Sequence, residues 1–186
     1  MTTDATNTTD GGIGAAQAAP CSSVCYPPIL DACCGSRMFW FDKQNPIALF
    51  MDKRCETHDI DIGTPGTIGR RPVVVAPDVQ ASFTDMPFPD ETFHLVVFDP
   101  PHLTSLGEDG IIAKKYGRLF GDWRSDLRAG FAECFRVLKR NGTLVFKWCS
   151  TEIGLTDVLA LSPEKPLFGH TSGRKAATHW VTFMKP

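Results

Sequence analysis

The segment Val96-Val97-Phe98-Asp99-Pro100-Pro101-His102 constrains this chain more than any other. An unbroken apolar run suits a strand buried on both faces of a parallel sheet. The two prolines must end it, because each lacks a ladder donor and pushes the residue before it out of helical geometry. Asp99 is therefore expected at the carboxyl end of a strand, the edge at which ligands bind in open α/β sheets.

At 186 residues the chain is long enough to bury one core without staples, and one domain is expected. Lys and Arg total 19 against 21 Asp and Glu, a formal net charge of -2, which excludes a global polycation and leaves nucleic-acid binding to a local patch. Seven cysteines at irregular spacing, no secretory leader and no span-length apolar run point to free thiols in a reducing cytoplasm. Residues 1–20 are small and polar and are expected to form a disordered tail, with the folded domain over 21–186. Cys21, Cys25, Cys33 and Cys34 have the residue types of a four-thiolate metal site. Cys33 and Cys34 are adjacent on a strand-to-helix turn, where side chains diverge, so no metal is expected.

Other strands read the same way. Ile29-Leu30-Asp31 is a short apolar run that ends in an acid and enters a turn containing Gly35. Ile47 to Asp52 is a second, again with a terminal acid, 17 positions after Gly35. Between them Met38 to Gln44 is expected as a short aromatic helix stopped before Pro46. Cys55 to Arg71 reads as an irregular polar loop in which His58 lies among acids without metal-ligand spacing. Val73-Val74-Val75 is either a third strand or the lead into one. Asp122 caps a helix running to Lys139, with Leu127, Phe131, Cys134, Phe135 and Leu138 on one stripe. A turn at Asn141-Gly142 leads to a strand ending near Lys147 and Trp148. Glu152 to Leu161 is expected as a helix, and Leu167 to Thr171 and Thr178 to Phe183 as a final strand pair holding His170 and His179.

Together these segments resemble the class I S-adenosylmethionine-dependent methyltransferases over residues 27–186. The strand-and-glycine turn Asp31-Ala32-Cys33-Cys34-Gly35, the order Phe83-Thr84-Asp85-Met86-Pro87-Phe88-Pro89-Asp90 before a strand, and the turn at Val137 to Thr143 carry the likeness. The resemblance implies a Rossmann-like, doubly wound, mostly parallel sheet with a C-terminal antiparallel pair, in one domain. It implies S-adenosylmethionine as cofactor, with Asp31, Cys33 and Gly35 at its methionine end and Asp52 accepting from its ribose. The Phe83 amide, with Ser82 or Asp85, falls beside its adenine. Arg37 stands where a second glycine would be usual, and Ser82 where an Asp would be.

Asp99-Pro100-Pro101-His102 is similar to the D-P-P-[YFW] signature of the enzymes that methylate exocyclic amines, adenine N6 first and cytosine N4 second. Such an amine is a poor nucleophile until acceptors draw its protons aside. The Asp99 carboxylate and the Pro100 carbonyl are two such acceptors, Pro101 keeps the turn free of a competing donor, and His102 holds the place of the aromatic that stacks on the base. Leu103 to Gly121 is expected as a glycine-bearing mobile loop. Its Lys114, Lys115, Tyr116 and Arg118, with Lys147, are the candidate substrate contacts, cations interleaved with rings that suit bases and phosphates. Without a separate target-recognition segment, a long specific DNA site is disfavoured and a partner subunit or oligomer is left open. The other readings are a methyltransferase of a small molecule or protein, and a non-catalytic module that binds the cofactor or nucleic acid.

Overall fold

In the computed structural model residues 1, 25–61, 69–105, 111–172 and 177–186 are described. The expected tail from residue 2 on, Cys21 and residues 173–176 between the final two strands lie outside them. The elements run β1 (Ile29–Asp31), β2 (Ala48–Asp52), β3 (Glu56–Asp61), β4 (Arg70–Val75), β5 (Val79–Gln80), β6 (Phe93–Phe98), α1 (Ile111–Tyr116), α2 (Trp123–Val137), β7 (Leu138–Cys149), α3 (Leu155–Leu159), β8 (Phe168–Ser172) and β9 (Thr178–Met184).

Seven strands form one sheet in the order β5-β2-β1-β6-β7-β9-β8, parallel from β5 to β7 and antiparallel through β9 and β8. This is the Rossmann-like, mostly parallel sheet with an antiparallel C-terminal pair, in one domain. The chain builds outward from β1 in one direction and then returns to its other side at β6. The switch point between β1 and β6 is where such sheets open a ligand crevice.

Helix α2 covers one face. Asp122 caps it by accepting from the Ser125 amide, and its buried stripe holds Leu127, Phe131, Cys134, Phe135 and Val137. Gly130 brings it close to the sheet, since a Cβ there would meet Phe83 and Phe98 at 2.7 Å. The helix ends at Val137 rather than Lys139, and Leu138 already pairs with Phe93 on β6. The register then shifts so that Leu95 pairs with Thr143, and Asn141 takes the shift with φ 60, the left-handed geometry expected of it.

The segment between β1 and β2 is a run of turns, not the expected helix over 38–44. Tertiary contacts outweigh its helical pattern. Arg37, at φ 54, donates to the Lys43 and Ala76 carbonyls and to Asp78, while Trp40 packs edge-on against Phe50 at 4.9 Å and donates to Asp31. This segment covers the second face of the sheet, where Cys34, Ala48 and Phe50 form a smaller cluster. Cys33 packs against the main core instead, so the two adjacent thiols do diverge.

Three further expectations are corrected, and the alternative left open at Val73-Val74-Val75 is resolved. Of residues 55–71, those described at 56–61 and 70–71 are strand and not irregular loop: β3 pairs antiparallel with β4 in a separate two-stranded sheet, and His58 sits on it 3.2 Å from Glu56. Val73-Val74-Val75 ends β4 of that pair, so the strand that joins the main sheet after β2 is the two-residue β5. Within 103–121 lies helix α1, and the helix expected over 152–161 spans only Leu155–Leu159. His170 and His179 are sheet residues on β8 and β9, and His179 meets the Ser150 hydroxyl at 2.8 Å. Among the described residues no helix is long and apolar enough to cross a membrane.

Candidate active site

A cavity of about 820 Å³ opens at the carboxyl ends of β1, β2, β6 and β7. Its wall joins residues far apart in sequence: Cys33 and Gly35 after β1, Asp52 ending β2, Phe83, Asp99 to His102 after β6, Lys115, Tyr116 and Arg118, and Lys147 on β7. The strand-end reading of Asp99 thus holds, and most of the candidate residues meet in one space.

Four candidates lie elsewhere. Asp31 is wholly buried behind the wall, accepting from the Trp40 indole at 2.7 Å and the Cys33 amide at 3.2 Å. Burial pushes its carboxyl up to about 7, against the pull of those two donors, with Asp99 and Asp52 adding to the rise. Ser82 and Asp85 are off the wall: the Ser82 hydroxyl pairs with Thr84, and Asp85 is exposed. Their loop is fixed instead by α2, where Arg136 donates to the Met86 and Phe88 carbonyls and Glu133 accepts from the Met86 amide. Lys114 is also off the wall and contributes its carbonyl, which accepts from Arg54.

Asp52 is 7% exposed and its carboxylate is organised from two sides. Oδ2 accepts from the Gly35 amide at 2.9 Å, and Oδ1 from the Arg54 amide at 2.9 Å and Nε at 3.3 Å. Gly35 reaches Asp52 by a left-handed turn at φ 50. Arg54 also donates to Glu56 and to the Lys114 carbonyl, and so ties the end of β2 to α1. Its guanidinium passes beside Gly117, where a Cβ would also stand 3.1 Å from the Pro101 ring. Sequence reasoning missed Arg54; its spacing from Asp52, two residues on, was the available signal.

The register of β6 against β7 pairs Phe98 with Phe146, which sets Asp99 beside Lys147. Lys147 Nζ donates to Asp99 Oδ2 at 2.5 Å, with the Phe39 and Trp180 rings 5.5 and 5.8 Å from the ammonium. Burial raises the Asp99 carboxyl above the usual carboxylate range, and Lys147 opposes the rise. Oδ1 of Asp99 meets no donor among the described residues. His102 is held below its ordinary value by burial first and Lys147 second, so it is a neutral imidazole at neutral pH. Its ring stands edge-on to Trp148 at 6.2 Å. The next residues are clamped: Glu152 accepts from the amides and hydroxyls of both Thr104 and Ser105.

The sequence matches no protein-family model and no curated protein. Solved structures do resemble it. The PH0226 protein from Pyrococcus horikoshii OT3 has 14% identity and TM-score 0.50, covering 85% of this chain and 81% of that one. A SAM-dependent methyltransferase from Methanosarcina mazei has 12% identity and TM-score 0.46, covering 84% of this chain and 91% of that one. The first likeness shows a shared fold.

Proposed function

We propose that the cavity binds S-adenosylmethionine and that the chain transfers a methyl group to an exocyclic amino nitrogen of a nucleic-acid base, adenine N6 before cytosine N4. The observation that carries this reading is the single wall shared by Asp99-Pro100-Pro101-His102 and the Gly35–Asp52 pair. The residues suit the cofactor. Asp52 Oδ2 has one protein donor and retains accepting capacity for a ribose hydroxyl, and the buried Phe83 ring supplies an apolar face for adenine. The volume lies within the range of small-molecule sites. When bound, the cofactor supplies an electrophilic methyl on a sulfonium.

The chain's own residues then orient the acceptor. Lys147 holds Asp99 Oδ2 and leaves Oδ1 to accept from the amine, while the Pro100 carbonyl accepts its second proton. The raised Asp99 carboxyl is suited to take the proton that the methylated nitrogen loses. Neutral His102 offers a flat, uncharged edge to the base. Lys147 therefore acts on Asp99 rather than as a direct substrate contact.

Incubation with methyl-labelled cofactor and a panel of DNA and RNA, followed by nucleoside mass spectrometry, tests the reading. N6-methyladenine or N4-methylcytosine is expected, and lost in Asp99→Ala. Absence of both products, or an Asp99→Ala variant of full activity, overturns it.

A further inference from the structure

The end of β2, the start of β3, α1 and the turn after β6 come together around one side chain. The Arg54 side chain is 17% exposed, and its guanidinium lies among three acceptors. Nε donates to Asp52 Oδ1 at 3.3 Å, and one terminal nitrogen donates to Glu56 at 3.3 Å and to the Lys114 carbonyl at 3.2 Å. A charge-assisted bond committed to a single carboxylate is shorter, about 2.7–2.9 Å. The guanidinium is therefore shared among the three.

Gly117, in left-handed geometry at φ 72, brings it close to the acceptor turn. A Cβ there would stand 3.6 Å from the guanidinium carbon and 3.1 Å from the Pro101 ring, so one glycine separates Arg54 from Pro101. Two backbone bonds fix that glycine's segment. The Gly117 amide donates to the Ala113 carbonyl at 2.8 Å, and the Leu119 amide to the Leu103 carbonyl at 2.9 Å. Leu103 directly follows His102. A displacement of the guanidinium is thus passed through Gly117 to the turn that carries Asp99 and His102.

Asp52 is where a bound cofactor meets this side chain. A ribose hydroxyl that donates to Asp52 takes up accepting capacity that Arg54 now shares. The acceptors Arg54 keeps, Glu56 and the Lys114 carbonyl, then hold the guanidinium against β3 and α1. We propose that Arg54 is a positioning residue that couples the ribose site at Asp52 to the acceptor turn at Pro101, so that bound cofactor orders the acceptor side of the cavity before the acceptor enters. This rests on the reading of the cavity as the S-adenosylmethionine site. Asp52 keeps two donors without the Arg54 side chain, because the Gly35 and Arg54 backbone amides each reach it at 2.9 Å. Cofactor affinity and the ordering of the acceptor side are therefore separable.

The test is residue-level amide hydrogen exchange on the full chain with and without S-adenosylhomocysteine, alongside calorimetric titration of that compound. In the wild type it should slow exchange at the Gly117 and Leu119 amides at least about tenfold, within the ordinary range of coupling between sites. Arg54→Met should bind S-adenosylhomocysteine within about threefold of the wild type, since both backbone donors to Asp52 remain, yet show no such slowing. Arg54→Lys keeps a cation between Asp52 and Glu56 and carries the test should Arg54→Met not fold. An ammonium is a point donor and cannot span the three acceptors, so it too should lose the slowing. Turnover at saturating cofactor on the DNA and RNA panel should fall about tenfold or more in both, as misplaced reacting groups imply. Slowing that persists in either variant, slowing absent from a wild type that binds the compound, an affinity that collapses in both variants, or undiminished turnover overturns the coupling, and the cofactor site survives. No binding by the wild type overturns both. Slowing that depends on Arg54, with no base methylated, supports the coupling and overturns the amine-methylation reading instead.

Discussion

Lys147→Met tests whether the ammonium keeps Asp99 fit to accept from an amine. The pair is 2.5 Å apart, with side chains 25% and 20% exposed. Methionine preserves the stem against Phe39 and Trp180 and removes only the charge. Removing one partner of a fully buried pair costs about 3–5 kcal/mol, and partial exposure brings this to the lower end, about 2–3 kcal/mol. The cost should depend on pH with a defined sign. Burial already holds the Asp99 carboxyl above its unfolded value, and without Lys147 nothing opposes that burial, so the folded-state value rises further. A folded state that binds the proton more tightly than the unfolded state loses stability as pH rises through the gap between the two values. Urea unfolding of both proteins at about pH 5 and about pH 8 should therefore show the larger penalty at the higher pH. In the methyl-transfer assay the acid limb of kcat/KM should move to higher pH, with a loss of about a hundredfold at neutrality if the acceptor is then protonated. Adding Asp99→Asn to Lys147→Met should restore stability without activity. Equal penalties at both pH values, or unchanged kcat/KM at neutral pH, would refute the reasoning.

Three other substitutions probe the frame of the site. Asp31→Asn should gain stability above pH 7, because a buried carboxyl raised to about 7 stabilises the fold only while it is protonated; from that value the gain has a ceiling of about 4 kcal/mol and falls away near pH 4. Denaturant melts at the two extremes check it, and a pH-independent effect would count against the buried-acid account. For Gly130→Ala, contacts of 2.7 Å to Phe83 and Phe98 predict that α2 lifts from β6, at a cost of about 1–3 kcal/mol read as a lower Tm. Glu152 is drawn down to about 2, chiefly by the Ser105 hydroxyl and the Thr104 amide, so its clamp is fully present above the ordinary carboxylate range and lost only as pH falls through about 2. Hydrogen exchange at the Thr104 and Ser105 amides should be protected at mildly acidic and neutral pH and become fast in Glu152→Gln.

The strand ends were legible in the sequence because their signals are local. An apolar run followed by Asp31, Asp52 or Asp99 ends where a turn residue or proline forbids continuation, and the structure puts all three at the same edge of the sheet. What escaped depends on pairings between distant segments. The pairing of β3 and β4 was hidden because Glu56, Asp59, Arg70 and Arg71 obscure its alternation, and Pro72 opposite Asp59 reads as a breaker. The local pattern of residues 38–44 predicts a helix, but Arg37 and Trp40 find partners at Ala76, Asp78 and Asp31 that no local pattern announces.

The same limit explains the revised roles in the cavity. Lys147 was legible as a strand-end cation, but whether it meets substrate or Asp99 is decided by the offset of β7 against β6. That offset is set by the extra residues taken up around Asn141. A one-residue slip would turn Lys147 to the other face and leave Asp99 without its counter-charge. The left-handed turn at Asn141, at the opposite end of β7 from the cavity, thus belongs to the register that sets Lys147 beside Asp99. It is a coupling through strand register that neither residue's neighbours in sequence reveal.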